Sequence, residues 1–333
     1  MKVFRGVDLT TMPPMVKASI DTRTLLFDGD AAAYKAAATS AKMSTAVNRY
    51  WELVLEEMFL TQAKRARVHL TSRSCLKCYR HLYPAAKVYQ DNRKGKPKPP
   101  LLEELREHLG STEEVPEGIT VVLNRVVEAD DALVGDAYNY GDVVISSEDK
   151  DLRQSVHPIF DRYIGEIDVI KDTHGWVDIT HTPSGASKLT GHGYAFLLAQ
   201  WLAGDSADNV AGLKTFEGKK VGVVRAVDLI NKWGSTYDCI VNILEAYVSI
   251  RQNPLAELEL LYLRPSVTSC AMSWLIKQLG EEFLKEDRLG QLLIKANKFN
   301  IRVLEKSGIK AKGLYYDETD GTNTTTDVDG STA

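Results

Sequence analysis

The chain has few cysteines and no long apolar run, and each shortage excludes a class of protein. Four cysteines in 333 residues are too few for a disulfide framework, so we expect reduced thiols. Cys75 and Cys78 have the spacing of half a zinc site, but no second pair completes it. No apolar stretch approaches the roughly 18 residues of a membrane span, and residues 1–20 lack the pattern of a secretory signal. We therefore expect a cytoplasmic protein that does not contact a membrane.

Acidic residues, in contrast, occur in four clusters that follow apolar runs or open predicted helices. They read DGD at 28–30, EADD at 128–131, SEDKD at 147–151 and GDSADN at 204–209. If the fold brings them together, two like charges ~5 Å apart repel by roughly 3 kcal/mol at an effective dielectric near 20. Such a pocket requires divalent cations, and oxygen ligands favour Mg²⁺ or Mn²⁺ and phosphate chemistry. The predicted metal ligands are Asp28, Asp30, Glu128, Asp130, Asp131, Asp149, Asp151, Asp205 and Asp208.

A structural interpretation competes for each cluster taken alone. Acids at a helix N-terminus are favoured by the helix dipole, which covers Glu128 to Asp131. Asp205 and Asp208 span the start of a turn, where aspartate often serves as a cap. The four clusters together, in this order, are much harder to explain as caps.

The formal net charge of −4 combines clustered acids with an excess of basic residues in the rest of the chain. Five acids lie in the last 17 residues, and a metal would offset the nine in the clusters, which leaves an excess of Lys and Arg elsewhere. A basic body around an acidic pocket suits a phosphodiester substrate. Charge scattered evenly over a solvated surface fits the total equally well.

Short β runs alternate with helical segments, which predicts an α/β fold with a parallel central sheet flanked by helices. Ligands of such sheets bind beyond the carboxyl ends of the strands, where two of the acidic clusters fall. We predict strands at 24–27, 119–123 and 143–146, and helices at 31–41, 47–67, 101–109, 129–138, 193–203, 219–232 and 237–248. The predicted divisions are an extension (1–20), an α/β core (21–190) with a basic arch at about 80–100, a helical region (191–312) and a disordered polar tail (313–333).

The order DGD, EADD, SxDxD, GDxxDN resembles the 5′-nuclease (flap endonuclease) superfamily, and within it the 5′→3′ exonucleases of podovirus-type bacteriophages. The resemblance extends from about Leu25 to about Val227. It implies a PIN-like core, a C-terminal helix-three-turn-helix and two bound metal ions. The implied ligands of the first ion are Asp28, Glu128, Asp130 and Asp131, those of the rest of the cluster are Asp149, Asp151, Asp205 and Asp208, and Asp30 belongs to the DGD form of the motif.

The resemblance also implies DNA contacts on the arch and beyond it. The segment 87–100 carries five Lys or Arg residues and three prolines, so it cannot be a continuous helix. Tyr89, Asn92 and Arg93 match a YxxNR pattern of the arch. A solvated basic loop is the simpler alternative. The implied DNA-binding residues are Tyr34, Lys35, Arg80, Tyr89, Arg93, Lys94, Lys96, Lys98, Lys219 and Lys220.

Three departures from the family pattern stand out. Gln90 replaces the arch lysine of YKxNR, so either Arg93 or Lys94 substitutes for it or cleavage is slower. Residues 71–73 read Thr-Ser-Arg where the family has an additional aspartate. Thr215 and Glu217 stand at glycine positions of the helix-three-turn-helix, which leaves open whether a K⁺ ion binds there.

We therefore expect a Mg²⁺-dependent 5′→3′ exonuclease that acts on double-stranded DNA from 5′ ends, with RNA primers or RNA–DNA hybrids as further substrates. A structure-specific flap endonuclease acting on single-stranded flaps is the alternative of the same class. A non-catalytic DNA-binding relative is the alternative of another class. The long arch and the GDxxDN region argue against a PIN-like ribonuclease. By resemblance the protein is a monomer.

Overall fold

The structure, a computed structural model, describes residues 19–309 and, before them, the backbone of two short paired strands. These strands are β1 (Val3–Phe4) and β2 (Val7–Asp8). The predicted extension 1–20 lies almost entirely outside the described residues. The predicted polar tail 313–333 lies wholly outside them.

A six-stranded sheet forms the centre of the N-terminal half. Its order is β5-β4-β3-β6-β7-β8, and every neighbouring pair is parallel except the last. The predicted α/β fold with a mostly parallel sheet is thereby confirmed. The strands are β3 (Ile20–Asp28), β4 (Ala63–Thr71), β5 (Ile119–Asn124), β6 (Val143–Ser146), β7 (Ile159–Asp161) and β8 (Glu166–Asp168).

Helices cover both faces of this sheet, as the buried residues of its central strand β3 require. Leu25 and Phe27 point to one face, and Leu26 points to the other, because side chains alternate along a strand. The first face packs against α1 (Gly29–Ala38), α2 (Met43–Thr61) and α3 (Leu102–Ser111), and the second against α4 (Ala129–Asn139).

The C-terminal half begins with an antiparallel hairpin, which the sequence did not predict, and continues as packed helices, as predicted for the region after residue 190. α5 is buried along nearly its whole length and forms the centre of this second core. No helix among residues 19–309 is long and apolar enough to cross a membrane. The elements are β9 (Trp176–His181), β10 (Ser187–His192), α5 (Tyr194–Ala203), α6 (Val223–Trp233), α7 (Thr236–Ser249), α8 (Pro254–Leu261), α9 (Ala271–Leu279), α10 (Glu281–Glu286) and α11 (Arg288–Lys306).

One prediction about the sheet was wrong. The helix expected over 47–67 ends at Thr61, where Gln62 takes a left-handed backbone conformation with φ 59°, and β4 begins at Ala63. In the sequence, the charged residues of 64–67 fit the polar face of a helix, which is why the helix was predicted to continue to 67. In the sheet they lie at the start of a strand whose second half, up to Thr71, is buried. The helix expected over 219–232 likewise begins later, at Val223.

Parallel strands bring their carboxyl ends to the same edge of the sheet. At this edge β3 ends at Asp28, β5 ends just before the EADD cluster, and β6 ends just before Ser147. The fold thus directs three acidic clusters to one place.

Candidate active site

Asp28 joins the central strand to the first helix. Its Oδ1 accepts hydrogen bonds from the backbone N–H groups of Asp30 (3.0 Å) and Ala31 (3.3 Å), and so caps α1. Its Oδ2 accepts a hydrogen bond from Ser147 Oγ at 2.6 Å, which ties the first cluster to the third. Gly29 is required for this close packing, because a Cβ there would lie 2.6 Å from the carbonyl oxygen of His69.

The other clusters are fixed by helix starts and turns. Glu128 is the N-cap of α4, so Asp130 falls in its first turn. Asp149 caps a short 3₁₀ helix, Lys150–Gln154, by accepting the Asp151 N–H at 2.9 Å. Asp205 opens a tight turn in which its backbone pairs with Val210.

Asp28, Asp130 and Asp149 form one electrostatic group. Burial and then the carboxylates of Asp149 and Asp28 raise the pKa of Asp130 well above its ordinary value. Desolvation and then the nearby charges of Asp151 and Asp28 raise the pKa of Asp149 to about 7, although its side chain lies at the protein surface. Like charges affect one another in this way only when they share a small volume. Three of the four clusters therefore meet.

The fourth cluster, in the GDxxDN turn, is linked to the other three through a second group of carboxylates. Asp151 and Asp205 share the ammonium group of Lys150, which is 2.7 Å from Asp151 Oδ1 and also contacts Asp205. Gln200 of α5 donates to Asp151 Oδ1 at 2.6 Å. Desolvation and the charge of Asp151 contribute to a raised pKa of Asp208, which Arg93 opposes. A cleft connects the two groups and is lined by Arg80, Tyr89, Glu128, Asp130, Asp151, Asp208, Leu260, Leu261 and Leu263.

Cations of the chain itself neutralise this cluster. Lys150 lies between Asp151 and Asp205, Arg93 contacts Asp208, and Lys77 contacts Glu128. With these contacts in place, no three Asp, Glu, His or Cys side chains within residues 19–309 stand close enough to hold a metal ion. The carboxylates have the oxygen chemistry that Mg²⁺ prefers. To hold an ion between Asp151 and Asp205, Lys150 must move away.

Two predicted site residues have to be corrected, because Asp131 and Arg80 form a buried ion pair. Arg80 donates to both carboxylate oxygens of Asp131, at 2.8 and 2.6 Å. The backbone N–H groups of Arg264 (2.7 Å) and Glu128 (3.2 Å) complete the set. Asp131 is fully buried and Arg80 is 2% exposed, so Asp131 has no oxygen left for a metal and Arg80 cannot reach DNA.

Asp30 lies at the rim of the cluster. Its Oδ1 accepts the backbone N–H of Thr71 at 3.0 Å and pairs with Arg106 at 3.0 Å. Thr71 ends β4, so Asp30 places a carboxylate beside the end of this strand. Burial outweighs the opposing charge of Arg106 and raises the pKa of Asp30 to about 6.

The YxxNR residues contact the GDxxDN turn. Asn92 Nδ2 donates to the carbonyl of Ser206 at 2.8 Å, and Arg93 Nε donates to that of Ala207 at 3.2 Å. Tyr89, predicted to contact DNA, is 8% exposed and donates its hydroxyl hydrogen to Glu128 Oε2 at 2.9 Å. The pattern that sequence assigned to DNA therefore also supports the acidic turn, and Tyr89 is corrected to a buried group of the cleft.

The remaining predicted DNA contacts lie on the surface. Tyr34 is 50% exposed, and the neighbouring Lys35 contacts Glu148. Lys94 and Lys98 make exposed ion pairs with Asp91 and Glu103. Arg93, Lys96, Lys219 and Lys220 are also exposed.

The turn before Lys219 keeps a conformation typical of glycine. Glu217, which stands at a family glycine, has φ 49° and pairs with Arg225 at 2.9 Å. Few non-glycine residues adopt positive φ, so this turn has a backbone conformation that glycine favours although the residue is a glutamate.

No protein-family model matches the chain, and no curated protein matches it in sequence. Solved structures do resemble it. The bacteriophage T5 D15 protein, co-crystallised with metal ions, is 15% identical over 82% of this chain and 99% of its own, with a TM-score of 0.48. A T5 D15 flap endonuclease complex with DNA and metal ions is 16% identical over 85% and 99%, with a TM-score of 0.47. The catalytic core of Rad2 in complex with DNA substrate is 10% identical over 88% and 96%, with a TM-score of 0.40.

The T5 D15 protein is a flap endonuclease, and the Rad2 structure contains a DNA substrate. At such identities and TM-scores the likeness assigns no substrate and no mechanism to this chain. Both have to be argued from the side chains of the cleft.

Sequence reasoning missed three residues of the site: Lys77, Lys150 and Gln200. The position of Lys150 between two predicted ligands, Asp149 and Asp151, was a usable signal. The sequence carried no such signal for Lys77, because the position of its side chain in the site depends on an unusual turn. Gln200 reads as one polar residue in an apolar helix, which is itself a signal of a buried contact.

Proposed function

We propose that this chain is a Mg²⁺-dependent nuclease that hydrolyses double-stranded DNA from 5′ ends in the 5′→3′ direction. The observation that carries the proposal is the convergence of three clusters from different parts of the chain. Ser147 Oγ donates to Asp28 Oδ2 at 2.6 Å, and burial and then the carboxylates of Asp149 and Asp28 raise the pKa of Asp130. Carboxylates crowded in this way are unfavourable as a structural device, because like charges repel one another. They are favourable around divalent cations, which here would assist phosphate chemistry.

In this proposal the carboxylates bind two ions, with Mn²⁺ able to replace Mg²⁺, after their side chains move closer together than they stand in this structure. Asp28, Asp130 and Asp149 would hold one, and Asp151, Asp205 and Asp208 the other, with Glu128 between them. When bound, the ions would lower the pKa of a water molecule and offset charge on the phosphate and the leaving oxygen. Asp131 is left out of this set because its oxygens are all in hydrogen bonds.

The proposed reaction is hydrolysis. A water oxygen forms a bond to phosphorus while the bond from phosphorus to O3′ breaks, and the hydrogen of the water ends on O3′. The products are a 5′-phosphate and a 3′-hydroxyl.

The chain's own cations and rings bind the substrate in this proposal. Arg93, Lys94, Lys96 and Lys98 face the phosphates, and the half-exposed ring of Tyr34 stacks on a base. Lys219 and Lys220 contact the duplex backbone further along. A K⁺ ion bound by the turn at 212–218 remains a further element of the proposal. The working unit is taken to be a monomer.

A structure-specific flap endonuclease is the second function of the same class. The buried Tyr89 and the contacts of Asn92 and Arg93 hold the basic segment against the acidic turn, so a single strand would have to pass beside this segment to reach the cleft. This arrangement suits the trimming of a flap as well as the removal of terminal nucleotides.

A DNA-binding relative without turnover is the rival of another class, and one observation favours it. Lys150 and Arg93 already neutralise Asp151, Asp205 and Asp208. If these pairs outcompete metal ions, DNA would be bound but not cleaved.

One assay separates these functions. The protein is incubated with 5′-labelled, nicked and flapped duplexes, with Mg²⁺ and with chelator, beside an Asp149→Ala/Asp151→Ala variant. A Glu113→Ala/Glu114→Ala variant, which removes two charges from an exposed loop, is the matched control. Mononucleotides or short oligonucleotides released only with Mg²⁺ support the exonuclease, and a single cut at the branch supports the flap endonuclease. Binding without product under every metal condition overturns both in favour of the rival.

A further inference from the structure

Lys77 presents an ammonium group to the cleft from a turn that the sequence did not single out. Its Nζ lies 2.8 Å from Glu128 Oε1 and 2.7 Å from Gln90 Oε1. Both partners belong to the site: Glu128 lines the cleft, and Gln90 Nε2 donates to Asp208 Oδ1 at 3.0 Å. The side chain of Lys77 is 34% exposed, so solvent and substrate reach the amine.

The backbone that carries this lysine is unusual. Lys77, Cys78 and Tyr79 all have left-handed conformations, with φ values of 52°, 47° and 56°. Non-glycine residues are sterically disfavoured there, and three in succession are rare. The backbone N–H of Cys78 donates to the Val126 carbonyl at 2.9 Å and so fixes the turn beside the EADD cluster. Gln90, the partner of Lys77, is also left-handed, with φ 53°. Strain of this kind is retained mainly at functional sites.

Glu128 has a second counter-ion besides Lys77. Arg80 Nη1 donates to Glu128 Oε2 at 3.0 Å, and the Tyr89 hydroxyl donates to the same oxygen at 2.9 Å. One buried cation and one hydroxyl already stabilise this carboxylate. An ammonium group has three N–H donors, and the two contacts described leave the third for a ligand in the cleft.

The other cations near the cleft are engaged differently. Arg80 is buried against Asp131, and Lys150 is held between two carboxylates. Arg93 contacts Asp208, and the Lys94 ammonium pairs with Asp91 on the arch surface, at 2.6 Å. The sequence left open whether Arg93 or Lys94 replaces the arch lysine that Gln90 displaces. The geometry favours neither, because Lys77 places its amine against the Gln90 side chain itself.

We propose that Lys77 is a catalytic residue whose ammonium group contacts the phosphate being cleaved and stabilises the negative charge that develops on it. Gln90 is its positioning residue, since its amide bridges the Lys77 amine and Asp208. The proposal rests on the proposed nuclease function. Lys77 forms and breaks no covalent bond, and its proton stays on the amine throughout.

The test compares Lys77→Gln, Gln90→Lys and the double variant, with Lys64→Gln as the matched control, because Lys64 is an exposed lysine paired with Asp21 at the start of β4 that lies away from the site. Cleavage of a 5′-labelled duplex in Mg²⁺ gives kcat and KM. Fluorescence anisotropy in chelator gives DNA affinity, and thermal unfolding reports stability. We expect Lys77→Gln to lower kcat by about 10²- to 10³-fold, the effect of losing one transition-state donor, with little change in DNA affinity or Tm. Lys64→Gln should leave kcat unchanged.

The double variant is decisive because it moves the amine by one side chain. Gln90→Lys in the Lys77→Gln background restores a cation between Glu128 and Asp208, so we expect at least a tenfold recovery of kcat over Lys77→Gln alone. A Lys77→Gln variant that cleaves at the wild-type rate overturns the proposal. A loss of kcat that follows a loss of Tm and is not recovered in the double variant also overturns it, since Lys77 is then structural. A wild-type protein that cleaves no DNA overturns the nuclease function itself, and is detected before any variant is compared.

Discussion

Asp131 and Asp149 have the same side chain and lie in neighbouring motifs, but their surroundings give them opposite roles. Asp131 is fully buried, and Arg80 binds both of its oxygens. Asp149 is exposed, and other carboxylates lie near it. A buried pair that loses one partner leaves an uncompensated charge, whereas a crowded anion that loses its charge relieves repulsion.

Asp131→Asn should therefore destabilise the protein by ~3 kcal/mol, because it removes the bidentate partner of the buried Arg80 guanidinium and leaves it only the Glu128 carboxylate. Urea unfolding measures the change, and Asp149→Asn is the matched control, which should lose cleavage but not stability. An Asp131→Asn variant of normal stability that cannot cleave DNA would show instead that Asp131 binds metal.

Lys150 is a built-in counter-ion for Asp151 and Asp205. Lys150→Gln should bind Mg²⁺ more tightly, because the metal no longer competes with an ammonium group, and should be less stable in chelator, because the two carboxylates then repel. Calorimetric titration and thermal unfolding measure the two effects. Lys64→Gln, which breaks an exposed pair with Asp21, should change neither. Weaker Mg²⁺ binding by Lys150→Gln would contradict this role.

At the scale of elements, the junction of β3 and α1 controls how the first motif meets the rest. Gly29 lies where any Cβ would come within 2.6 Å of both the His69 carbonyl oxygen and the Tyr50 hydroxyl. The carbonyl belongs to β4, so it cannot rotate away as a side chain would. The helix must shift instead, and Asp28 and Asp30 shift with it.

Gly29→Ala should thus cost about 1–3 kcal/mol of stability, as overpacking in a core does, and should reduce cleavage further than stability alone explains. Gly141→Ala is the control, because a Cβ at Gly141 meets nothing within 4 Å. Chemical denaturation and initial cleavage rates measure the two effects. If Gly29→Ala and Gly141→Ala were equally stable, the close contacts of a Cβ at position 29 would not determine the position of α1.

For the whole molecule, the acidic cluster links stability to pH and to metal. Burial and neighbouring carboxylates raise the pKa of Asp149 to about 7, above its ordinary value of 3.8. The folded protein then holds a proton that the unfolded chain has lost, so this group destabilises the fold increasingly as pH rises from about 4 to about 7. Burial lowers the pKa of His157, His174 and His192, which acts in the opposite direction over part of this range.

A comparison of wild type with Asp149→Asn cancels the shared histidines. In chelator, the variant should equal wild type near pH 4 and exceed it at pH 8 by ~1 kcal/mol, a value that allows for the solvent reaching Asp149. With Mg²⁺ at pH 8 the order should reverse, because the ion stabilises the charged carboxylates of the wild type. Thermal unfolding at the two pH values measures this, and a difference independent of both pH and Mg²⁺ would contradict it.

The sequence by itself determined the alternation of strands and helices, the strand at 143–146 and the position of the acidic clusters at strand and helix ends. Local patterns suffice for these features, because period and capping chemistry depend on neighbours along the chain. Only the tertiary structure decided which carboxylates are free. Arg80 reaches Asp131 across 51 positions, and the Arg264 N–H that binds the same carboxylate comes from 133 positions away. Likewise, Lys77 meets Gln90 only because three left-handed residues turn the chain toward the cleft. Contacts between distant segments, and backbone conformations that side-chain preferences disfavour, leave no mark in a sequence pattern.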